Sequence, residues 1–241
     1  MMPVSARQHS EARIHTPQAR SIREVVFGVN DGLVSITGII VGVTASNMSS
    51  HQVLISGLAA VIAAAVSMSL GAYLSTVAQN EYFLAERTRE LREVEEIPDE
   101  ERLEVESIYR AQGFSPEEVR VLTQRVTADR DRWVDFMMKE ELGILLDSVD
   151  NPWTSAAIMG VAVLAGAVPP MLPYLLVPDP HRALPWAIVF AVVVAFGLGV
   201  LKAKVAKSQW WKSGMQFLLV TGAAVVIGIL GGSLLGRLLG S

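Results

Sequence analysis

Three short runs carry carboxylates and thioethers at helical spacing: Glu90 and Glu93 in "RELRE", Glu101 and Glu104 in "DEERLE", and Met137, Met138 and Glu141 in "FMMKEE". A separation of three turns both members of a pair to one face of a helix, and Met138 and Glu141 share that relation. Two or three such faces can enclose a cation. Carboxylates alone suit hard ions such as Mg²⁺ or Ca²⁺, whereas thioether sulfur is soft and shifts the preference to first-row transition metals, Fe²⁺ or Mn²⁺ ahead of Ca²⁺. The same residues have plainer readings. A glutamate-rich helix can be a solvated face on which Arg87, Arg89, Arg92 and Arg102 make spaced ion pairs. Methionine also fills irregular cores, and the adjacent Met137 and Met138 point in different directions unless the turn is distorted. His9, His15, His51 and His181 lie in the tail and outer loops without ligand spacing. The absence of cysteine removes thiolate metal sites, disulfides and thiol catalysis together.

A further carboxylate stands where few are tolerated. Asp31 lies inside "VVFGVNDGLVSITGIIVGVTA", residues 25–45, where a charge costs on the order of 3 kcal/mol on insertion scales. It can serve as a metal ligand, a proton carrier or a buried hydrogen-bond acceptor. Gly28 and Gly32 flank it and allow another backbone or an ion to come close. Met68, in "AVSMSLGAYLS", supplies a thioether in the next apolar stretch. Asn30 either lines the same path or bonds to a neighbouring helix.

The elements that must position these groups are those of an all-α membrane protein. Of the 241 residues 51% are hydrophobic and only 18% charged. Five stretches reach the length of about 20 residues that a bilayer needs: 25–46, 53–78, 153–177, 184–205 and 214–239. Residues 79–152 hold 20 of the 24 acids but 10 of the 20 bases, an acidic module inside an apolar chain. This gives a cytosolic N-terminal tail over 1–24, transmembrane helices one and two over 25–78, a cytosolic helical domain over 79–152, and helices three to five over 153–241. Arg7, Arg13, Arg20 and Arg23 before the first span, and Lys202, Lys204, Lys207 and Lys212 between the last two, put those segments and the acidic module in the cytoplasm. Five crossings then leave the C-terminus on the far side. The first 24 residues have no apolar core of the signal-peptide kind.

Local signals subdivide the acidic module. One long helix should run from the second span to about Glu96, where Pro98 stops it. Asp99 then caps a second helix to about Ala111, Gly113 turns the chain, and Ser115, Pro116 and Glu118 open a third with a capping box. A fourth covers about 129–146. In the membrane, Gly228, Gly232, Gly236 and Gly240, the pairs Gly28/Gly32 and Gly38/Gly42, and Ser67/Gly71/Ser75 recur every fourth residue, the spacing of closely packed helices. Pro169, Pro170 and Pro173 in "VPPMLPY" free backbone carbonyls, which fits either a bent helix beside a pathway or a kinked packing helix.

Taken in order, "FGVNDGLVSITGIIVGV", "AVSMSLGAYLS", the glutamate-rich insertion, "WVDFMMKEELGI" and "VPPMLPY" resemble the vacuolar iron transporter family from about residue 21 to the C-terminus. The resemblance implies a homodimer in a lipid bilayer, with five membrane helices per subunit and a cytosolic metal-binding domain. It further implies export of cytosolic Fe²⁺, and Mn²⁺, in exchange for protons. It carries metal-binding roles onto Glu90, Glu93, Glu101, Glu104, Met137, Met138 and Glu141, and pathway roles onto Asp31, Met68 and Glu24. Family members also carry a glutamate early in the second span, where this chain has Ala59 and Ala60, and that departure bears on the proton stoichiometry.

The expected function is therefore divalent metal transport, not enzyme catalysis, with no prosthetic group and no nucleic-acid partner. The membrane would be the cell membrane in a prokaryote or the vacuolar membrane in a eukaryote. Two rivals are a membrane-anchored ferroxidase or iron-storage module and a metal-gated cation channel. Di-iron carboxylate sites use Glu-x-x-His motifs, and residues 79–152 contain no histidine. No phosphate-binding loop for ATP-driven pumping is visible.

Overall fold

The computed structural model describes the backbone of residues 4–46, 48–144 and 149–239, and the side chains of 21–46, 48–144 and 149–234. Among the described residues every regular element is a helix. In chain order these are α1 (Val4–Ala45), α2 (Ser50–Glu96), α3 (Pro98–Ala111), α4 (Pro116–Val126), α5 (Arg130–Glu140), α6 (Pro152–Leu176), α7 (Pro180–Val205) and α8 (Trp210–Leu239). The chain forms two compact units. Leu74–Asn151, with the N-terminal stretch to Pro17, makes one, and Gln18–Tyr73 with Pro152–Ser241 makes the other.

In the first unit the local signals set the helix boundaries. Ser115 caps α4 with a complete capping box, its N–H donating to Glu118 Oε2 at 2.8 Å while its hydroxyl accepts from the Glu118 N–H. Gly113, at φ 91°, makes the preceding turn. The start of α3 differs from expectation: Ile97 is its N-cap, with no side-chain capping bond, and Asp99 sits in the first turn beside Glu100 and Glu101. Pro98 explains the shift. Its fixed φ and missing N–H suit the first helical position, and the three acids behind it complement the helix dipole. The fourth helix is shorter than the expected 129–146. Asp129 caps α5, accepting from the Arg132 N–H at 2.9 Å, but the helix stops at Glu140. Gly143 takes a left-handed φ of 67°, and the Leu142 and Ile144 N–H groups turn back onto the Met137 and Met138 carbonyls. Such a glycine-centred wrap closes a helix C-terminus. Residues 145 and 146 of the expected helix lie outside the described residues. The unit's core gathers Val94 of α2, Val105 and Tyr109 of α3, Val119 of α4, and Trp133, Val134, Met137 and Met138 of α5.

In the second unit, five helices among the described residues are long and apolar enough to cross a membrane: Ser21–Ala45, Ser50–Glu96, Pro152–Leu176, Pro180–Val205 and Trp210–Leu234. The chain is a multi-pass membrane protein, with the spans where the hydropathy put them. Pro169, Pro170 and Pro173 lie inside α6, which continues past them to Leu176. Glycines seat α1 between two partners. A Cβ on Gly32 would come within 2.1 Å of the Val163 carbonyl oxygen of α6, and one on Gly166 of α6 equally close to the Val29 oxygen. Further along, Gly42 of α1 and Gly232 of α8 meet in the same backbone-to-backbone way. These are the small-residue contacts through which helices pack in lipid. Gly71 differs, having nothing within 4 Å, so its stripe on α2 packs against nothing in the described chain. Gly236 and Gly240 fall outside the described side chains.

A second stripe emerges only from burial. Along α7, Ala183, Ala187, Ala191, Ala195, Gly199 and Ala203 are all buried. A repeat of four drifts round a 3.6-residue helix by about 40° per step, so its partners cross it at an angle instead of running parallel. Ala191 and Ala195 cluster with Leu33 of α1, and Gly199 meets the backbone of Gly214 on α8.

Candidate metal site

The acidic clusters of the first unit form one electrostatic basin. On α2, Glu86, Glu90 and Glu93 recur at steps of four and three and so share a face. Glu101 and Glu104 come from α3, and Glu141 is the C-cap of α5. Burial is uneven: Glu90 and Glu101 are 1% and 3% exposed, Glu93 is half-buried, and Glu104 and Glu141 reach solvent.

The two buried carboxyls carry the signature of a missing partner. Glu90 Oε2 and Glu101 Oε2 are buried and accept no hydrogen bond among the described residues. Both groups titrate high. Burial pushes Glu90 up to about 7, reinforced by Glu141, Glu93 and Glu104 and opposed by Arg89. Burial likewise raises Glu101 to about 7, reinforced by Glu104, Glu90, Glu93 and Glu141. Burial, and then Glu104, raise Glu141. Each glutamate thus feels the others, which is what places α2, α3 and the end of α5 around one charged space.

A guanidinium already occupies part of that space. Arg89 donates to Glu86 Oε2 and Glu90 Oε1 at 3.0 Å each and to Glu93 Oε2 at 3.3 Å. By sequence this arginine is one of four spaced pairing partners on a solvated face. Glu86 was not singled out, although its spacing from Glu90 and Glu93 carried the signal. Of the other three arginines, Arg102 pairs with Asp99 one turn away and Arg87 reaches Asp131 and Asp135 of α5, while Arg92 makes no ion pair among the described residues.

Among the described residues no three His, Cys, Asp or Glu side chains close into a single coordination sphere. The structure is therefore an open basin, as expected when like charges repel and one guanidinium neutralises only part of them. Met137 and Met138 are fully buried, and both sit in the apolar core with Val105 and Val134.

In the membrane unit, Asp31 is half-buried and accepts a hydrogen bond from the Ser35 hydroxyl at 3.3 Å, one turn along α1. Met68 is half-buried and Glu24 is 8% exposed. Gly28 and Gly32 serve helix packing: Ala162 and Met159 of α6 stand over Gly28, and Val163 over Gly32. The space they leave is filled by protein, not held open for an ion.

A family profile described as the VIT family matches residues 22–233. The chain belongs to the VIT family. Among curated proteins, the VIT-family chain is 31% identical over 209 residues to vacuolar iron transporter 2 of Oryza sativa subsp. japonica, covering 87% of this chain and 84% of that protein. It is 30% identical over 202 residues to vacuolar iron transporter 1 of Arabidopsis thaliana, covering 84% and 81%. The vacuolar iron transporter of Toxoplasma gondii is 31% identical over 243 residues, covering 97% of this chain and 80% of its own. Membership makes the protein a transporter and not an enzyme.

Proposed function

We propose that this VIT-family protein exports Fe²⁺, and Mn²⁺ with it, from the cytoplasm in exchange for protons. The observation that carries the reading is the pair of orphaned, buried carboxylate oxygens on Glu90 and Glu101, set among further glutamates on three helices. A divalent ion would give both oxygens a partner and displace the protons that burial, reinforced by the neighbouring glutamates, holds on them. The names of the relatives support iron as cargo.

In this reading Glu90, Glu93, Glu101, Glu104 and Glu141 collect ions from the cytoplasm and raise their local concentration by charge focusing. Arg89 offsets part of the basin's negative charge and swings aside when a divalent ion arrives. Thioether ligation would require Met137 or Met138 to turn out of the core, so the carboxylates lead and sulfur follows. Asp31 and Met68 act as hard and soft ligands in the membrane, with buried Glu24 near the start of the span. Protonation of Asp31 from the far side weakens its hold on the metal and releases it, which couples the two flows. The 47 residues of α2 support an extramembrane basin. At 1.5 Å per residue that helix is about 70 Å long, more than twice the hydrocarbon thickness of a bilayer. A homodimer fits the ridge of Ile55, Leu58, Ile62, Val66, Leu70 and Leu74, exposed on α2 next to the open Gly71.

The deciding experiment is metal flux through the full chain in liposomes, with and without a pH gradient that is acid on the side receiving the metal. The gradient should accelerate Fe²⁺ and Mn²⁺ flux, and protons should move the opposite way. Asp31→Asn should reduce flux to background while the detergent-solubilised protein still binds metal at the basin. Wild-type flux in Asp31→Asn would overturn the pathway role, and flux indifferent to pH would replace exchange by a channel.

A further inference from the structure

A cavity of about 400 Å³ opens at one end of the membrane unit between α1, α7 and α8. Val26, Phe27, Val205 and Phe217 give it apolar walls, and Arg23, Lys202 and Asn30 are its polar groups. Neither cation has an ion-pair partner among the described residues. Arg23 is exposed, and the Lys202 ammonium rests 5.7 Å from the centroid of the Phe217 ring.

The surroundings fix its depth. Lys202 belongs to the last turn of α7, and Trp210 and Trp211, each more than half exposed, begin α8. Tryptophan beside lysine marks the level of the lipid headgroups. Asn30 lies seven residues beyond Arg23 on α1, about 10 Å further along the helix. The cavity thus offers positive charge at headgroup level, a carboxamide deeper in, and apolar walls between them.

We propose that this cavity binds an anionic phospholipid, with Arg23 and Lys202 on its phosphate, Asn30 toward its ester groups and an acyl chain along Phe27 and Phe217. Basic pockets between transmembrane helices have this use generally. Charge complementarity argues against the membrane unit of a second copy as occupant. The acids of this unit are Glu24, Asp31 and Asp179; the first is buried, the second half-buried, and the third caps α7 at its other end, paired with Arg182. A bilayer supplies the missing negative charge directly. Asn30 also adjoins Asp31, so the lipid would touch the residue next to the membrane carboxylate.

The test uses the full chain, delipidated in detergent and titrated with phosphatidylglycerol or phosphatidylcholine of identical acyl chains, bound lipid being counted by native mass spectrometry. Phosphatidylglycerol should bind about tenfold more tightly, as two basic contacts allow. The double variant Arg23→Gln, Lys202→Gln should lose that preference, while Lys204→Gln, in the same last turn of α7 but outside the cavity, should keep it. Equal binding of the two lipids, or a preference that survives the double variant, overturns the proposal. So does competition by glycerol phosphate, which would make the cavity a site for free anions. Should the double variant not fold, spin-labelled forms of the two lipids decide on the unmodified protein: the anionic one must show the larger immobilised fraction, and equal fractions reject the site.

Discussion

Arg89 decides how the acidic basin behaves before an ion reaches it. Its three ion pairs with Glu86, Glu90 and Glu93 put one positive charge among carboxylates that otherwise repel, so it competes with any incoming cation. Arg89→Gln should therefore tighten divalent metal binding by about tenfold, measured by calorimetry on the solubilised chain. The same variant should lower the melting temperature of the metal-free protein at pH 8. Glu101→Gln should weaken binding by at least about tenfold, since it removes one of the two orphaned oxygens. The pH dependence follows from Glu90 and Glu101, both raised from 4.5 to about 7. Between those values the folded chain holds protons that the unfolded chain has released, so folding is favoured as pH falls and the contribution is lost as pH rises through about 7. Metal binding runs the opposite way, because ligation requires the carboxylates deprotonated. Melting curves and binding isotherms from pH 5 to pH 8 should show metal-free stability falling while metal affinity climbs.

At the scale of helices, glycines at equal spacing do different work. Gly32 has the Val163 carbonyl where a Cβ would stand, whereas Gly71 faces open space. Gly32→Ala should yield aggregated or poorly expressed protein, and Gly71→Ala should leave the monomer fold's melting temperature within about 1–2 °C, as surface changes do. Monodispersity on gel filtration and a thermal melt check both. Spacing alone could not separate the two, because it names a face but not what lies against it. Helix limits were legible wherever the signal is local: the Ser115 capping box and the Gly113 turn stand where the residues put them. They were misread where a neighbour overrides, as when Pro98 moves the cap to Ile97 and Gly143 ends α5 early. The carboxylate faces were legible by their steps of three. Arg89 was not, because only the fold shows that an arginine on the same helix points into the basin. The depth at which Met137 and Met138 are buried was hidden for the same reason. The stripe on α7 is not legible in the sequence because alanine is common in any span, and only burial distinguishes these positions.

For the molecule as a whole, charge is segregated. Residues 79–152 carry a formal excess of about ten negative charges, and the remainder carries about six positive ones. Charge focusing by the acidic module is screened by salt, the Debye length falling from about 10 Å at 0.1 M to about 3 Å at 1 M. Transport at low metal concentration should therefore slow several-fold between these salt levels, while the maximal rate, set inside the membrane, changes little. Flux assays across a metal titration at fixed osmolarity separate the two. The membrane unit itself is seated by α7, whose buried face is five alanines and one glycine. Such side chains have no rotamers to freeze, so docking that face loses essentially no side-chain entropy. Helices in lipid lack a hydrophobic drive toward one another. With so little disorder to surrender, contact between near-bare backbones suffices to seat α7, and warming, which amplifies every entropic loss, finds almost none on that face to act on.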